Sequence, residues 1–283
     1  MSIINYLELT RISGIFTAVS NISLGYMLSY HQEIQFSSLL HLITISSLLY
    51  CGGMALNDFF DYRTDTTEHP KRVIPSGRIK RKNAGIFGFS VLILACILAL
   101  YSGITSLGIA ALISVLIVVY NRFSKEILVV GALNMASIRF FNVMLGSSTE
   151  GINELALLAA LALFTFVFGI TMISRKEGAF LRDITAPGLI LVGVVIAYVL
   201  TLHIAGVFAN HYIGLFIAVF AFLSLLPYKV KNAKVEKLVG SLVISMILLD
   251  ATLIAGNGEI LFGVFVAMLY IPSFALSRVI RVS

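Results

Sequence analysis

The sequence is poor in charge: 12% of its 283 residues are Asp, Glu, Lys or Arg, whereas a soluble domain carries about 25%. Together with a hydrophobic content of 59%, this scarcity excludes an ordinary water-soluble protein. The 20 basic residues outnumber the 14 acidic ones. In a membrane protein such an excess reports orientation in the bilayer, so we expect no nucleic-acid partner.

Cysteine is also scarce, since only Cys51 and Cys96 are present and both lie in apolar runs. This excludes a disulfide framework and a thiolate metal site. No polar stretch is long enough to form a soluble domain. The N-terminus lacks the basic segment and the small-residue cleavage site of a secretory signal, so we expect the first apolar run to be retained.

Apolar runs fill most of the chain, and a hydrocarbon core of about 30 Å needs roughly 20 such residues per helix. They predict an all-α polytopic membrane protein in which residues 1–283 form one transmembrane domain of nine to ten helices, surrounded by membrane lipids. The candidate spans are 9–30, 37–57, 84–102, 104–121, 127–147, 153–173, 187–207, 210–228, 237–256 and 259–277.

Basic residues are confined to alternate connections between these spans. Eighteen of the 20 lie in loops 58–83, 121–126, 174–186 and 228–237 or in the tail after 277. Because Lys and Arg are retained on the cytoplasmic side, those loops and both termini are predicted to be cytoplasmic.

An acidic patch, NDFFDYRTD at 57–65, follows the second span. If the helix continues through it, Asn57, Asp58, Asp61 and Asp65 project within one quadrant of the helix. Like charges placed so closely repel one another unless a cation neutralises them. Oxygen ligands suit Mg²⁺, which commonly bridges carboxylates to substrate phosphates. A solvated loop at the membrane boundary is the alternative.

The segment that follows the patch, HPKRVIPSGRI at 69–79, is basic. It brings Lys71, Arg72 and Arg78 close to the carboxylates. A metal for the bridging oxygens and Arg or Lys for the remaining ones would suit a lipid diphosphate.

These residues resemble a known family. NDFFDYRTD is similar to the NDxxDxxxD motif of the UbiA superfamily of intramembrane prenyltransferases, and HPKRVIPSGRI resembles its NPxRPxPxGxI-type continuation. The resemblance extends over about residues 8–185 and implies a helical bundle around a central cavity under a cytoplasmic cap. It also implies Mg²⁺-assisted transfer of a prenyl group from a polyprenyl diphosphate to an aromatic or lipid acceptor, with the metal withdrawing charge from the leaving diphosphate.

The resemblance assigns roles residue by residue. Asn57, Asp58, Asp61 and Asp65 match the first motif and are expected to hold metal, with Asp58 and Asp61 also counted as catalytic. Arg72 matches a diphosphate-contacting position. YNRFSKE at 120–126 is similar to the family's Y-S-x-x-x-K loop, which makes Lys125 a candidate diphosphate ligand.

Arg139 lies deep within a predicted span, where a charge is functional by default. Asn142 is three residues further on and therefore on the same helix face. We expect Arg139 to face the cavity as a catalytic residue and Asn142 to contact substrate. A purely structural Arg139, paired with a carboxylate such as Asp250, is the alternative.

The family's second aspartate-rich motif is degenerate here. The corresponding stretch, SRKEGAFLRD at 174–183, has only Glu177 and Asp183 as acids, and Arg175 adds positive charge. In one interpretation Arg175 and Glu177 contact substrate and a single metal site suffices. In the other, the protein binds or exports an isoprenoid precursor without prenyl transfer, as SRKE and RFFN resemble the divergent EboC-like branch. An ion-coupled transporter is a weaker third interpretation.

Overall fold

A computed structural model describes residues 3–30, 34–174, 181–226 and 235–279, and within these ranges every regular element is a helix. The helices are α1 (Ile3–Leu9), α2 (Ile15–Ser29), α3 (Phe36–Phe60), α4 (Tyr62–Glu68), α5 (Arg81–Tyr101), α6 (Ile104–Arg122), α7 (Leu128–Gly146), α8 (Glu154–Ser174), α9 (Leu181–Ile204), α10 (Ile213–Leu225), α11 (Val235–Gly256), α12 (Ile260–Met268) and α13 (Tyr270–Val279). Short 3-10 turns precede α2 and α7.

The predicted all-α membrane architecture is confirmed. Over the described ranges, nine helical segments are long and apolar enough to cross a bilayer, and α12 and α13 together form the last of them. The remaining predicted span, 210–228, is represented by α10, which has 13 residues as described. The chain is therefore an integral membrane protein, and its described part contains nine candidate spans and one shorter apolar helix.

Two helices are interrupted for local reasons. At Asp61 the backbone leaves regular helix geometry, with φ −79° and ψ 0°. The amides of Asp61 and Asp65 nevertheless donate to the carbonyls four residues earlier, at 2.9 Å each, so the acidic patch stays nearly helical, as the prediction assumed. The break between α12 and α13 follows from Pro272, which has no N–H to donate to the carbonyl of Met268.

Two helices occupy the centre of the bundle. α2 packs against α3, α7, α8 and α11, and α11 packs against α8, α10 and α12 as well. Asp250, in the second half of α11, is fully buried. By contrast, α5 and α6 expose many large apolar side chains such as Ile93, Leu100 and Val115, as expected of helices that face lipid.

A small apolar cluster fastens the connection between α4 and α5 to one end of the bundle. Val73, Ile74 and Ile79 are buried against Leu9 of α1 and Ala84 of α5. The segment 69–80 therefore folds back over the end of α3. We call this end, formed by residues 57–82 and 121–126, the charged end; it is the cap that the family resemblance implies.

The tightest helix crossing joins α2 to α7. A Cβ on Gly25 would overlap the carbonyl oxygen of Val143, and one on Gly146 would overlap that of Ile22. Glycine at both positions allows the two backbones to touch, as is common where helices pack closely in membranes. This crossing sets how far α7 stands from α2 along the cavity described below.

Gly25→Ala is expected to destabilise the protein by about 1–3 kcal/mol, because an inserted methyl group in a packed crossing forces backbone shifts. Thermal unfolding in detergent measures the loss. Gly108→Ala is the matched control, since a Cβ there meets open space on the same kind of helix. Equal stability of the two variants would contradict the tight crossing.

Candidate active site

The three carboxylates of the acidic patch each form an ion pair at the charged end, and we refer to these three pairs as the ion-pair cluster. Asp58 Oδ1 accepts from Arg11 Nη2 at 2.9 Å, and Asp65 Oδ1 accepts from Arg72 Nη1 at 2.7 Å. The third pair joins Asp61 to Lys125. The cluster thus unites α3 and α4 with the turn before α2, the loop 69–80 and the turn before α7.

Asn57 connects this cluster to its neighbours. Its Oδ1 accepts from Arg11 Nη2 at 3.3 Å, and its Nδ2 donates to Asp61 Oδ2 at 3.1 Å and to Asn121 Oδ1 at 3.0 Å. Asn121, at the end of α6, donates in turn to the carbonyls of Gly53 and Ile117. The orientation of the Asn57 amide is thereby fixed, with its oxygen toward the basic group.

The donor set fits a hard divalent cation. Asp58 and Asp65 are almost fully buried, and Asp65 Oδ2 has no hydrogen-bond partner in the described structure. A buried carboxylate oxygen without a partner is costly unless a cation or donor reaches it. Across the described residues, however, no three acidic, His or Cys side chains converge on one point. The carboxylates are directed at basic groups, so a metal would have to take over oxygens that these groups now hold.

A cavity of about 190 Å³ opens beside the cluster. Arg11, Asn57 and Asn121 line its end nearest the cluster, and apolar side chains of α3, α6 and α7 such as Leu49 and Ile113 line its walls. The cavity lies inside the bundle between α2, α3, α6 and α7. This is the central cavity that the family resemblance implies.

Arg139 lines the cavity further from the cluster. Its Nη1 donates to Asn21 Oδ1 at 3.3 Å and its Nη2 to Thr17 Oγ1 at 3.1 Å. The guanidinium carbon lies 6.0 Å from the centre of the Tyr50 ring. The hydroxyl of Tyr50 donates to the carbonyl of Arg11 at 3.1 Å, so this tyrosine lies against both Arg139 and a residue of the cluster.

The alternative predicted for Arg139 was a structural pair with Asp250. In the structure the two residues are connected, but through Asn21 and not by direct contact. Asn21 stands between the two charges: its Nδ2 donates to Asp250 Oδ2 at 2.7 Å. The ion pairs found among the described residues do not include a direct one between Arg139 and Asp250. The guanidinium therefore faces the cavity on one side and an acid, through one amide, on the other.

Asn142 also lines the cavity, on the same face of α7 as Arg139. Its Oδ1 accepts from Ser46 Oγ at 2.8 Å and its Nδ2 donates to the carbonyl of Ala18 at 3.1 Å. These bonds tie α7 to α2 and α3. Asn142 is thus placed for substrate contact, although its amide is already engaged with the protein.

The site contains residues that the sequence did not indicate. Arg175 and Glu177 lie outside the described residues. Arg11, to which the sequence assigned no role in the site, contacts both Asn57 and Asp58. Asn121 also escaped notice, although it stands directly after Tyr120 in the YNRFSKE segment and its polarity at a span end was a usable signal.

Comparison with known proteins identifies relatives. A model of the UbiA prenyltransferase family matches residues 18–184. A digeranylgeranylglyceryl phosphate synthase of Methanococcus maripaludis is 32% identical over 137 residues, which cover 48% of this chain and 49% of the relative. Another, from Methanothermobacter thermautotrophicus, is 27% identical over 236 residues, covering 77% and 82%. For the first of these relatives, the match spans about half of its length.

Solved structures share the fold. A structure described as digeranylgeranylglyceryl phosphate synthase in membranes superposes with a TM-score of 0.63 at 22% identity, over 89% of this chain and 97% of the other. A UbiA homologue from Archaeoglobus fulgidus bound to GPP and Mg²⁺ gives 0.61 at 13% identity, over 90% and 99%.

Arg72→Gln is expected to lower the free energy of unfolding by about 3 kcal/mol, because it leaves the buried Asp65 carboxylate without a partner. The side chains of this pair are 18% and 4% exposed. Thermal and denaturant unfolding in metal-free detergent solution measures the loss.

The matched control for this prediction is Arg78→Gln in the same loop. Arg78 pairs with Glu8, and the two side chains are 37% and 21% exposed. A pair in such contact with water contributes at most about 1 kcal/mol. Equal losses for the two variants would show that burial does not govern the cluster.

Proposed function

Because the chain belongs to the UbiA prenyltransferase family, we propose that it transfers a prenyl group from a polyprenyl diphosphate to a lipid acceptor with the assistance of Mg²⁺. The observation that carries the proposal is the ion-pair cluster at the end of the cavity. Together with Asn57, it gathers four oxygen-bearing side chains and three basic ones where an apolar-walled chamber begins. That combination suits a ligand with a diphosphate head and a hydrocarbon tail.

Asn57, Asp58, Asp61 and Asp65 are the residues that would hold the metal. Mg²⁺ bound there would supply charge withdrawal from the leaving diphosphate. Two observations support this assignment: the unpartnered Oδ2 of buried Asp65 and the hard oxygen character of the four side chains. The A. fulgidus homologue, which shares the fold, was solved with GPP and Mg²⁺.

Arg11, Arg72 and Lys125 are the proposed diphosphate ligands. In the absence of substrate they neutralise the three carboxylates. When a cation takes the carboxylates, the same basic groups can turn to the diphosphate oxygens. A cation and an anion that bind together change the net charge of the cluster less than either one alone, which favours their joint binding. Arg175 and Glu177 remain proposed as further substrate ligands.

The cavity is proposed to hold the prenyl chain. Leu49, Ile113 and Ile117 provide an apolar wall, and exclusion of water from the chamber protects a reactive allylic cation from hydrolysis. Tyr50 and Tyr120 also line it, and the faces of their rings attract positive charge. Catalytic roles for Asp58 and Asp61 would be exerted through metal and diphosphate rather than by contact with the acceptor.

The acceptor is proposed to be a glycerophosphate-type lipid rather than an aromatic ring. Relatives are named digeranylgeranylglyceryl phosphate synthase, and Arg139 provides a cation in the cavity apart from the diphosphate site. A guanidinium suits a phosphate headgroup well. Asn142, one turn further along the same face, is the proposed second polar contact. The charged end is proposed to face the cytoplasm together with both chain termini.

One observation favours a second candidate function. Each carboxylate of the acidic patch is already paired with a base, and no three acids converge within the described residues. A protein that binds or exports an isoprenoid-like precursor, without prenyl transfer, could retain such a closed cluster. The two candidates differ in whether a bound diphosphate lipid is turned over.

Prenyl transfer is expected from purified protein given radiolabelled prenyl diphosphates, Mg²⁺ and a panel of glycerophosphate and aromatic acceptors. Asp61→Asn is expected to lower the rate at least about 100-fold, because it removes one metal ligand and the charge that Lys125 faces. EDTA should abolish product formation, and added Mg²⁺ should restore it.

Glu68→Gln serves as the control, because Glu68 is an exposed acid of α4 outside the cluster. Its rate should remain within about twofold of the wild-type rate. Product formation that survives both Asp61→Asn and EDTA would refute the metal assignment. Tight binding of the diphosphate lipid without turnover of any acceptor would favour the second candidate.

A further inference from the structure

Asp250 is a buried acid to which the proposed reaction gives no role. It lies in the second half of α11, fully buried, and it is absent from the described lining of the cavity. It also lies well beyond residues 18–184, the part matched by the family model. A lone carboxylate in this position is costly to bury, so its contacts need an explanation.

The contact that matters is with Asn21 of α2. An amide side chain has a donating and an accepting end, and it can rotate to exchange them. Asp250 Oδ2 accepts from Asn21 Nδ2 at 2.7 Å, which commits the donating end to the carboxylate. The accepting end, Oδ1, is thereby turned toward Arg139, whose Nη1 donates to it at 3.3 Å.

The second partner of the guanidinium is fixed in a similar way. Thr17, one turn earlier on α2, uses its hydroxyl hydrogen in a bond to the carbonyl of Gly14 at 2.7 Å. Its oxygen is therefore left to accept from Arg139 Nη2, at 3.1 Å. Two acceptors on one face of α2 thus hold the two terminal nitrogens of Arg139, and the planar group is set at the cavity wall.

We propose that Asp250 is a positioning residue that, through Asn21, orients the Arg139 guanidinium toward the bound acceptor. The proposal rests on the proposed function, in which Arg139 binds an anionic group of the substrate. Without Asp250, the Asn21 amide loses the buried acceptor that holds its Nδ2 end, and only the guanidinium is left to keep Oδ1 turned toward it. Preorganisation of a cation in this way lowers the cost of binding an anion.

Orientation and charge compensation can be separated by two substitutions. Asp250→Leu removes both the acceptor and the negative charge. Asp250→Asn removes the charge but keeps an oxygen that can accept from Asn21 Nδ2. If Asp250 acts by orienting Asn21, the Asn variant retains most of the wild-type behaviour and the Leu variant does not.

The first measurement needs no substrate. In protein labelled with ¹⁵N-arginine, hindered rotation of a guanidinium held by two acceptors gives separate Nη resonances, which Arg139→Lys identifies by their loss. Wild type and Asp250→Asn are expected to show this hindered rotation. Asp250→Leu and Asn21→Leu are expected to show averaged resonances. An unchanged Arg139 signal in Asp250→Leu would overturn the positioning role.

The second measurement is steady-state kinetics. Asp250→Leu is expected to raise KM about tenfold for the same substrate whose KM rises in Arg139→Met, with kcat within about twofold. In the double variant, loss of Asp250 should add nothing to loss of Arg139, because residues that act as a unit are not additive. Multiplying effects, or lower thermal stability with unchanged KM, would overturn the proposal.

Thr252→Val is the matched control. Thr252 is also buried on α11, and its hydroxyl bonds only to the carbonyl of Leu248 in its own helix, at 2.7 Å, among the described contacts. It should leave both the arginine resonances and KM unchanged. If wild-type protein turns over no substrate, the proposed function fails, whereas the arginine resonances still decide whether Asp250 orients Arg139.

Discussion

The pairing of buried charge is the constraint on which this structure depends. Removing a charge from water costs several kcal/mol unless a partner of opposite sign or several hydrogen bonds replace the solvent. At the charged end, three carboxylates pair with three bases, and these six residues come from four separate segments of the chain. At mid-depth, Arg139 reaches Asp250 through Asn21. These two networks require α2, α3, α7 and α11 to stand at particular positions around the cavity.

The same pairing gives the cluster its capacity to exchange partners. A carboxylate that is paired with a base still has further hydrogen-bonding capacity, and so does the base. Both can therefore bind a ligand of suitable charge. A metal and a diphosphate arriving together would offer each member a new partner of the right sign. The unpartnered oxygen of Asp65 and the unpartnered Nε atoms of Arg11 and Arg72 are places where the resting network is incomplete. In the proposed reaction, new hydrogen bonds from metal or substrate to these unpartnered atoms would contribute most to binding.

Much of the fold could be predicted from local sequence, because about 20 successive apolar residues indicate a transmembrane helix. The acidic patch could also be predicted, since Asn57, Asp58, Asp61 and Asp65 lie within one short segment. The hydrogen-bond and ion-pair partners of the site residues could not be predicted. Arg11 meets Asp58 across 47 positions, Asn57 meets Asn121 across 64, and Asn21 meets Asp250 across 229. Such contacts depend on how the helices pack, and the hydrophobic periodicity of one helix does not show which other helices lie beside it. The start of α10 at Ile213, rather than at residue 210, was not predicted because composition alone does not mark where an apolar helix begins.

The route from Arg139 to Asp250 changes how the C-terminal helices are understood. Beyond residue 184 the sequence offers only apolar helices without a family motif, and helices of that kind ordinarily serve to complete a bundle. α11, however, is central rather than peripheral, and it contributes the acid nearest to the cation of the cavity wall. A hydrophobic residue at position 250 would have packed with less desolvation cost. An acid placed there, with an amide interposed at hydrogen-bonding distance, serves the guanidinium better than it serves packing. Under the proposed positioning role, the C-terminal helices therefore contribute to the site as well as complete the bundle.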